Sequence, residues 1–215
     1  VGRVQGVGTL YGRRGGDGYV AGSVDVLYFS PQAPGLTNAS FAQGAGFGRR
    51  ADTSADLAMS GGLGILRDRE GADLYGAGVF AQGTGYWGGI GLLLEGEGDD
   101  RYDGWWYVQG AAAHFAIAAL IDGLGDDVYR VALPGDPARA TSIGVGHDLS
   151  IGWLLDRDGR DTYDAPGLSL GSGNAAGLGL FVDGGGDDHY AATGDFSFGN
   201  ASIETVGDPV RGPAG

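Results

Sequence analysis

The chain has no cysteine and no lysine, one methionine and seven prolines in 215 residues. Without cysteine, disulfides and thiolate metal sites are both excluded. All thirteen basic residues are arginine. They lie mainly in turns and inserts, which argues against a polysaccharide lyase. No apolar run reaches the roughly 18 residues needed to cross a bilayer. No nucleophile elbow, phosphate-binding loop or zinc-ligand spacing occurs. Positive charge is scarce against 27 acids, giving a net charge of −14. Such a surface repels nucleic acid and anionic membranes, so neither nucleic-acid binding nor membrane insertion is expected. It suits cations and neutral glycans. The expected location is extracellular, on a cell surface or periplasmic.

What is abundant is glycine, 47 residues, about three times ordinary usage. It is arranged in a recurring phrase: LYGRRGGDGY (10–19), LRDREGADLY (66–75), LLEGEGDDRY (93–102), LIDGLGDDVY (120–129), LLDRDGRDTY (154–163) and FVDGGGDDHY (181–190). The closing tyrosines, Tyr19, Tyr75, Tyr102, Tyr129, Tyr163 and Tyr190, are separated by 56, 27, 27, 34 and 27 residues. The unit is therefore 27 residues, and the gap of 56 predicts a degenerate copy between Tyr19 and Tyr75. A second anchor, FAQG at 41–44 and 80–83 and YVQG at 107–110, follows most units. Inserts are expected at about 22–38, 51–60 and 133–140. The stretch 49–60 carries the one helix-like pattern.

Aligned on the tyrosine, a large apolar residue stands nine positions before it, glycine four before and aspartate two before, in all six copies. Fixed columns alternate with free ones, which is the period of two of a strand with one face turned inward. The apolar run before each acidic turn (GIGLLL, GLGLFV) reads as a second strand, and the Gln-Gly stretch as a third. Three short strands per 27 residues describe one coil of a parallel β-helix. The expected fold is all-β, a right-handed β-solenoid of about six or seven coils. Residues 1–206 read as a single domain and 207–215 as a tail.

Stacked coils turn equal positions into ladders. Seven before the tyrosine stand Gly12, Asp68, Glu95, Asp122, Asp156 and Asp183; two before it stand Asp17, Asp73, Asp100, Asp127, Asp161 and Asp188. Two columns of like charge then flank one glycine turn, and something must offset their repulsion. One reading is that the acids cap turn amides, with Arg69, Arg101, Arg157 and Arg160 supplying charge. The other is a bound hard cation, since such ions take carboxylate and carbonyl oxygens. Residues 183–191 (DGGGDDHYA) resemble the RTX nonapeptide of calcium-binding β-rolls, G-G-x-G-x-D-x-U-x. They match its second and third glycines, its aspartate and its large apolar position; an acid replaces the first glycine. RTX units recur every nine residues, whereas one stands here per 27. The resemblance therefore implies calcium chemistry in a turn and not a β-roll. It makes Asp68, Asp73, Glu95, Asp100, Asp122, Asp127, Asp156, Asp161, Asp183 and Asp188 the candidate calcium ligands.

For catalysis, His114 and Asp148 fall in one column on successive coils, which is an acid–base geometry. Tyr86, Trp87, Trp105, Trp106 and Tyr107 form an aromatic cluster of the kind on which sugars stack. The expected function is a non-catalytic extracellular repeat module, calcium-stabilised, with a structural, adhesive or self-assembling role. A polysaccharide-binding or polysaccharide-active enzyme is the alternative. Neither end of the repeat array carries an obvious amphipathic cap, so either head-to-tail self-association or a larger parent chain is expected to cover the open ends.

Overall fold

The computed structural model describes residues 1–21, 39–50, 57–132, 141–193, 199 and 201–202. Every regular element among them is a strand. The strands cycle through three parallel sheets of seven, six and six members, plus a two-stranded ladder of Ala39–Ala42 with Val79–Ala81. This is a parallel β-helix of about six coils. One coil shows the plan: Ile90–Leu94 in the leucine sheet, Arg101–Gly104 in the tyrosine sheet and Ala112–Ala113 in a narrow third sheet.

The repeat alignment is the pairing register. Leu66, Leu93, Leu120, Leu154 and Phe181 pair in line along one sheet, and the tyrosines along another. Tyr75, Tyr102, Tyr129 and Tyr163 are fully buried. Successive rings stack with centroids 4.7–5.2 Å apart, the spacing of neighbouring strands. Inside the leucine strands Leu93 and Gly91 point inward and Ile90, Leu92 and Leu94 outward. Gly91 must be glycine, because a Cβ there would lie 1.9 Å from the Thr84 carbonyl oxygen.

Three expectations are corrected. The gap of 56 hides no extra coil. Leu10 pairs directly with Leu66 and Tyr19 with Tyr75, so the added length lies in inserts. Insert 22–38 falls outside the described residues, as do insert 133–140, residues 51–56 and tail 207–215. Residues 49–60 are not helical where described, since Arg49 and Met59 pair as an antiparallel bridge. Finally, the Gln-Gly stretch is a corner rather than a strand. Gln43, Gln82 and Gln109 have φ of 53–57°. The third strand starts two residues beyond, as at Gly46–Phe47 and Gly85–Tyr86. The glutamine itself explains the bend: Gln82 Nε2 donates to the carbonyls of Tyr75 (2.8 Å) and Asp103 (2.9 Å). Gln109 does the same to Tyr102 and Arg130. Each amide thus ties the corner to two successive tyrosine strands.

Candidate metal centre

Both acid columns lie within the coil wall, and all but their ends are shielded from solvent, Asp17 on the first coil being exposed. Asp68, Asp73, Glu95, Asp100, Asp122, Asp127, Asp156 and Asp161 are all buried, with at most 6% exposure; Asp183 and Asp188 on the last described coil are half-buried. The two columns use their oxygens differently.

In the column two before the tyrosine, one oxygen closes the stack. The amides of Asp17, Asp73 and Asp100 each donate to Oδ1 of the next coil's aspartate at 2.6 Å, Asp127 to Asp161 at 2.8 Å, and Asp161 to Asp188 at 3.0 Å. Oδ2 of Asp73, Asp100, Asp127 and Asp161 is buried without a hydrogen-bond partner. In the column seven before the tyrosine, Oδ1 caps the turn: the Arg69 amide donates to Asp68 and the Gly123 amide to Asp122. Oδ2 meets the tyrosines. Tyr102 donates to Asp122 on the next coil (2.5 Å) and Tyr129 to Asp156 (2.7 Å), with the same-coil contacts longer at 3.1 Å. Amide capping therefore accounts for one oxygen of Asp68, Asp122 and Asp183 and of the aspartates two before the tyrosine, whereas Asp156 Oδ1 and both Glu95 oxygens lack a partner.

The two columns converge. In each of five groups, one oxygen from each of three acids lies within 4.8 Å of the others. The groups are Asp17–Asp68–Asp73, Asp73–Glu95–Asp100, Asp100–Asp122–Asp127, Asp127–Asp156–Asp161 and Asp161–Asp183–Asp188. Successive groups share an aspartate, so they form one row along the axis. All ten acids singled out from the sequence belong to it, and Asp17 joins them. The second group is the least satisfied: Tyr75 Oη, both Glu95 oxygens and Oδ2 of Asp73 and Asp100 all lack partners. Glutamate's extra methylene takes the carboxylate out of the position where aspartate meets the tyrosine. At the first coil Gly12 holds the acid's place, and the Asp68 carboxylate and Tyr19 hydroxyl occupy the space its side chain would need.

Unit charges at 4.8 Å repel by about 3 kcal/mol at an effective dielectric constant of 20. Burial adds to this, because it disfavours the charged form. Desolvation is the largest cause raising Asp156 to about 6 and Asp161 to about 7, and it also raises Asp73, Glu95, Asp100, Asp122 and Asp127. Nearby arginines give little relief. Arg69 pairs with Glu70, Arg101 with Asp103 and Arg160 with Asp126, all at the surface. The row must be neutralised by protons or by cations. Its donors are all oxygen, which selects a hard ion over a soft one.

His114 and Asp148 do meet, with Nδ1 and Oδ2 2.6 Å apart. Arg50 Nη1 lies 2.8 Å from His114 Nε2, so the ring is neutral, accepting at Nε2 and donating from Nδ1. Burial pushes its pKa down to about 4. Both ring nitrogens are thus engaged. Of the aromatic cluster, Tyr86, Trp106 and Tyr107 are buried against Phe80. Trp87 and Trp105 are half-buried, and Arg50 lies over the Trp87 ring. The chain matches no family model, no curated protein and no solved structure.

Proposed function

We propose that this chain is a non-catalytic extracellular repeat module whose β-helix is held together by a row of calcium ions in the acid ladder. The observation that carries this reading is the set of buried, partnerless carboxylate oxygens on Asp73, Asp100, Asp127, Asp161 and Glu95, on acids that fall in groups of three with one oxygen from each within 4.8 Å of the others. A turn-capping role leaves these atoms unexplained. An orphaned buried polar atom is costly, and a cation removes both that cost and the like-charge repulsion. Calcium fits better than magnesium because shared, irregular carboxylate groups tolerate its variable coordination, whereas magnesium demands a near-ideal octahedron. Shared aspartates link the groups, so occupancy of one orders ligands of the next and the row fills cooperatively. Such a rod serves a structural, adhesive or assembling role that switches on in calcium-rich surroundings.

The test is a thermal melt followed by circular dichroism, first in EDTA and then with millimolar calcium restored. A ligand selective for the folded state stabilises by about 2.7 kcal/mol per site at one hundred times its Kd. Several linked sites should raise the midpoint by more than 10 °C, with magnesium far less effective. An unchanged midpoint with the strand signal intact would reduce the ladder to turn caps.

A further inference from the structure

The outward face of the leucine sheet is apolar except at Thr9 and Arg67. Its three columns are Val7, Leu63, Ile90, Ile117, Ile151 and Leu178; Thr9, Ile65, Leu92, Ala119, Trp153 and Leu180; and Tyr11, Arg67, Leu94, Ile121, Leu155 and Val182. The face is open: Ile117 is 45% exposed, Ile151 40%, Leu178 51% and Leu180 38%. A parallel strand that reads as a continuous apolar run is normally covered on both sides, and a contiguous patch of this size marks an interaction site.

We infer that this face joins a second copy of the chain, sheet against sheet. Two features argue for a copy rather than another partner. The first is shape. Ala119 and Trp153 are register partners on adjacent strands, which sets a notch (Ala119, 5% exposed) beside a knob (Trp153, 36% exposed). A twofold axis lying in the interface, along the strands and midway between these two, seats each Trp153 over the other copy's Ala119. Such self-complementarity is what an isologous interface requires. The second is chemistry. This axis overlaps the four strands holding Ile90, Ile117, Ile151 and Leu178, whose outward residues are all apolar. The polar exceptions, Thr9 and Arg67, fall on the two strands left outside. No acid stands in the three columns, so two chains of net charge −14 meet where neither carries negative charge. Four strands at about 4.8 Å and five to six residues at about 3.3 Å give roughly 350 Å² per copy. The total of about 700 Å² is below the roughly 1,200 Å² of a standard specific interface, so the association is weak and transient. This inference does not depend on the metal reading.

The experiment is sedimentation equilibrium of the full chain between 1 and 100 µM in calcium, with circular dichroism to check folding. The wild type should follow a monomer–dimer equilibrium. Ile117→Glu, at an exposed position, should weaken association at least tenfold with the strand signal unchanged. Trp153→Ala should weaken it too, and the exchange Ala119→Trp with Trp153→Ala should restore it by reversing knob and notch. A monomer at 100 µM, open-ended oligomers, or a dimer indifferent to Ile117→Glu would each overturn the proposal. So would a double exchange that stays as weak as Trp153→Ala while remaining folded.

Discussion

Stability of the metal-free protein should fall as pH rises, and calcium should reverse the trend. Asp156 and Asp161 are raised to about 6 and about 7 by burial and by neighbouring carboxylates, against about 3.9 in an unfolded chain. A group whose folded pKa is raised contributes stability that is complete below the unfolded value, here about pH 4. That contribution disappears as pH rises through 6 and 7. Between pH 5 and 6 each such group is protonated when folded and ionised when unfolded, so each costs about 1.4 kcal/mol per pH unit. Two groups give about 3 kcal/mol, and the buried Glu95, Asp100, Asp122 and Asp127, raised for the same reason, add to it. For a chain of this length the midpoint should drop by at least about 5 °C per pH unit. With calcium the ion displaces the protons, so binding strengthens with pH and the midpoint should rise over the same window. The assay is a set of melts from pH 4.5 to 8, in EDTA and in calcium. A metal-free midpoint that is flat or rises across this range would refute the claim that the ladder is desolvated. Parallel curves with and without calcium would refute the exchange of protons for metal.

Four further outcomes follow from named contacts. Burial pushes the Glu95 carboxyl up to about 9, so the metal-free fold must protonate it; Glu95→Gln removes that cost, and it should stabilise the EDTA-treated protein at pH 8 and weaken calcium binding measured by calorimetry. Tyr129→Phe removes the hydroxyl shared between Asp122 and Asp156 and should cost about 1–3 kcal/mol, read from chemical denaturation. In Gly98→Ala the new Cβ would sit 1.4 Å from the Gly71 carbonyl oxygen; a backbone contact cannot give way, so soluble folded protein should be lost. His114→Ala breaks the contacts to Arg50 and Asp148 and should lower the melting midpoint while leaving calcium affinity unchanged.

The repeat made most of the fold and the acid ladder readable in advance. A fixed 27-residue spacing forces equal positions into register, so Leu93 on Leu120 and Asp100 on Asp127 follow from alignment alone. The first gap misled because length alone cannot separate a coil from two inserts; only the pairing of Tyr19 with Tyr75 does so. The Gln-Gly corner was hidden for a different reason. Its shape depends on the reach of Gln82 to carbonyls on two coils, a contact 21 residues away in one case. Asp17 belonged to an aligned column and was available as a ligand candidate. The tyrosine hydroxyls carried a signal too, since every copy has tyrosine where phenylalanine would fill the core equally well. The open leucine face left only a trace: runs such as IGLLL lack the alternation of a half-exposed strand, yet among the described residues nothing covers their outer side.

The most direct measurement is the number of calcium ions held by the chelator-stripped protein, by equilibrium dialysis at pH 7.5. Several ions per chain, approaching one for each of the five acid groups, should bind cooperatively, and Asp127→Asn, which lies in two groups, should lose more than one. No bound calcium on a protein whose strand signal is intact would contradict the central claim, leaving protons as what neutralises the ladder.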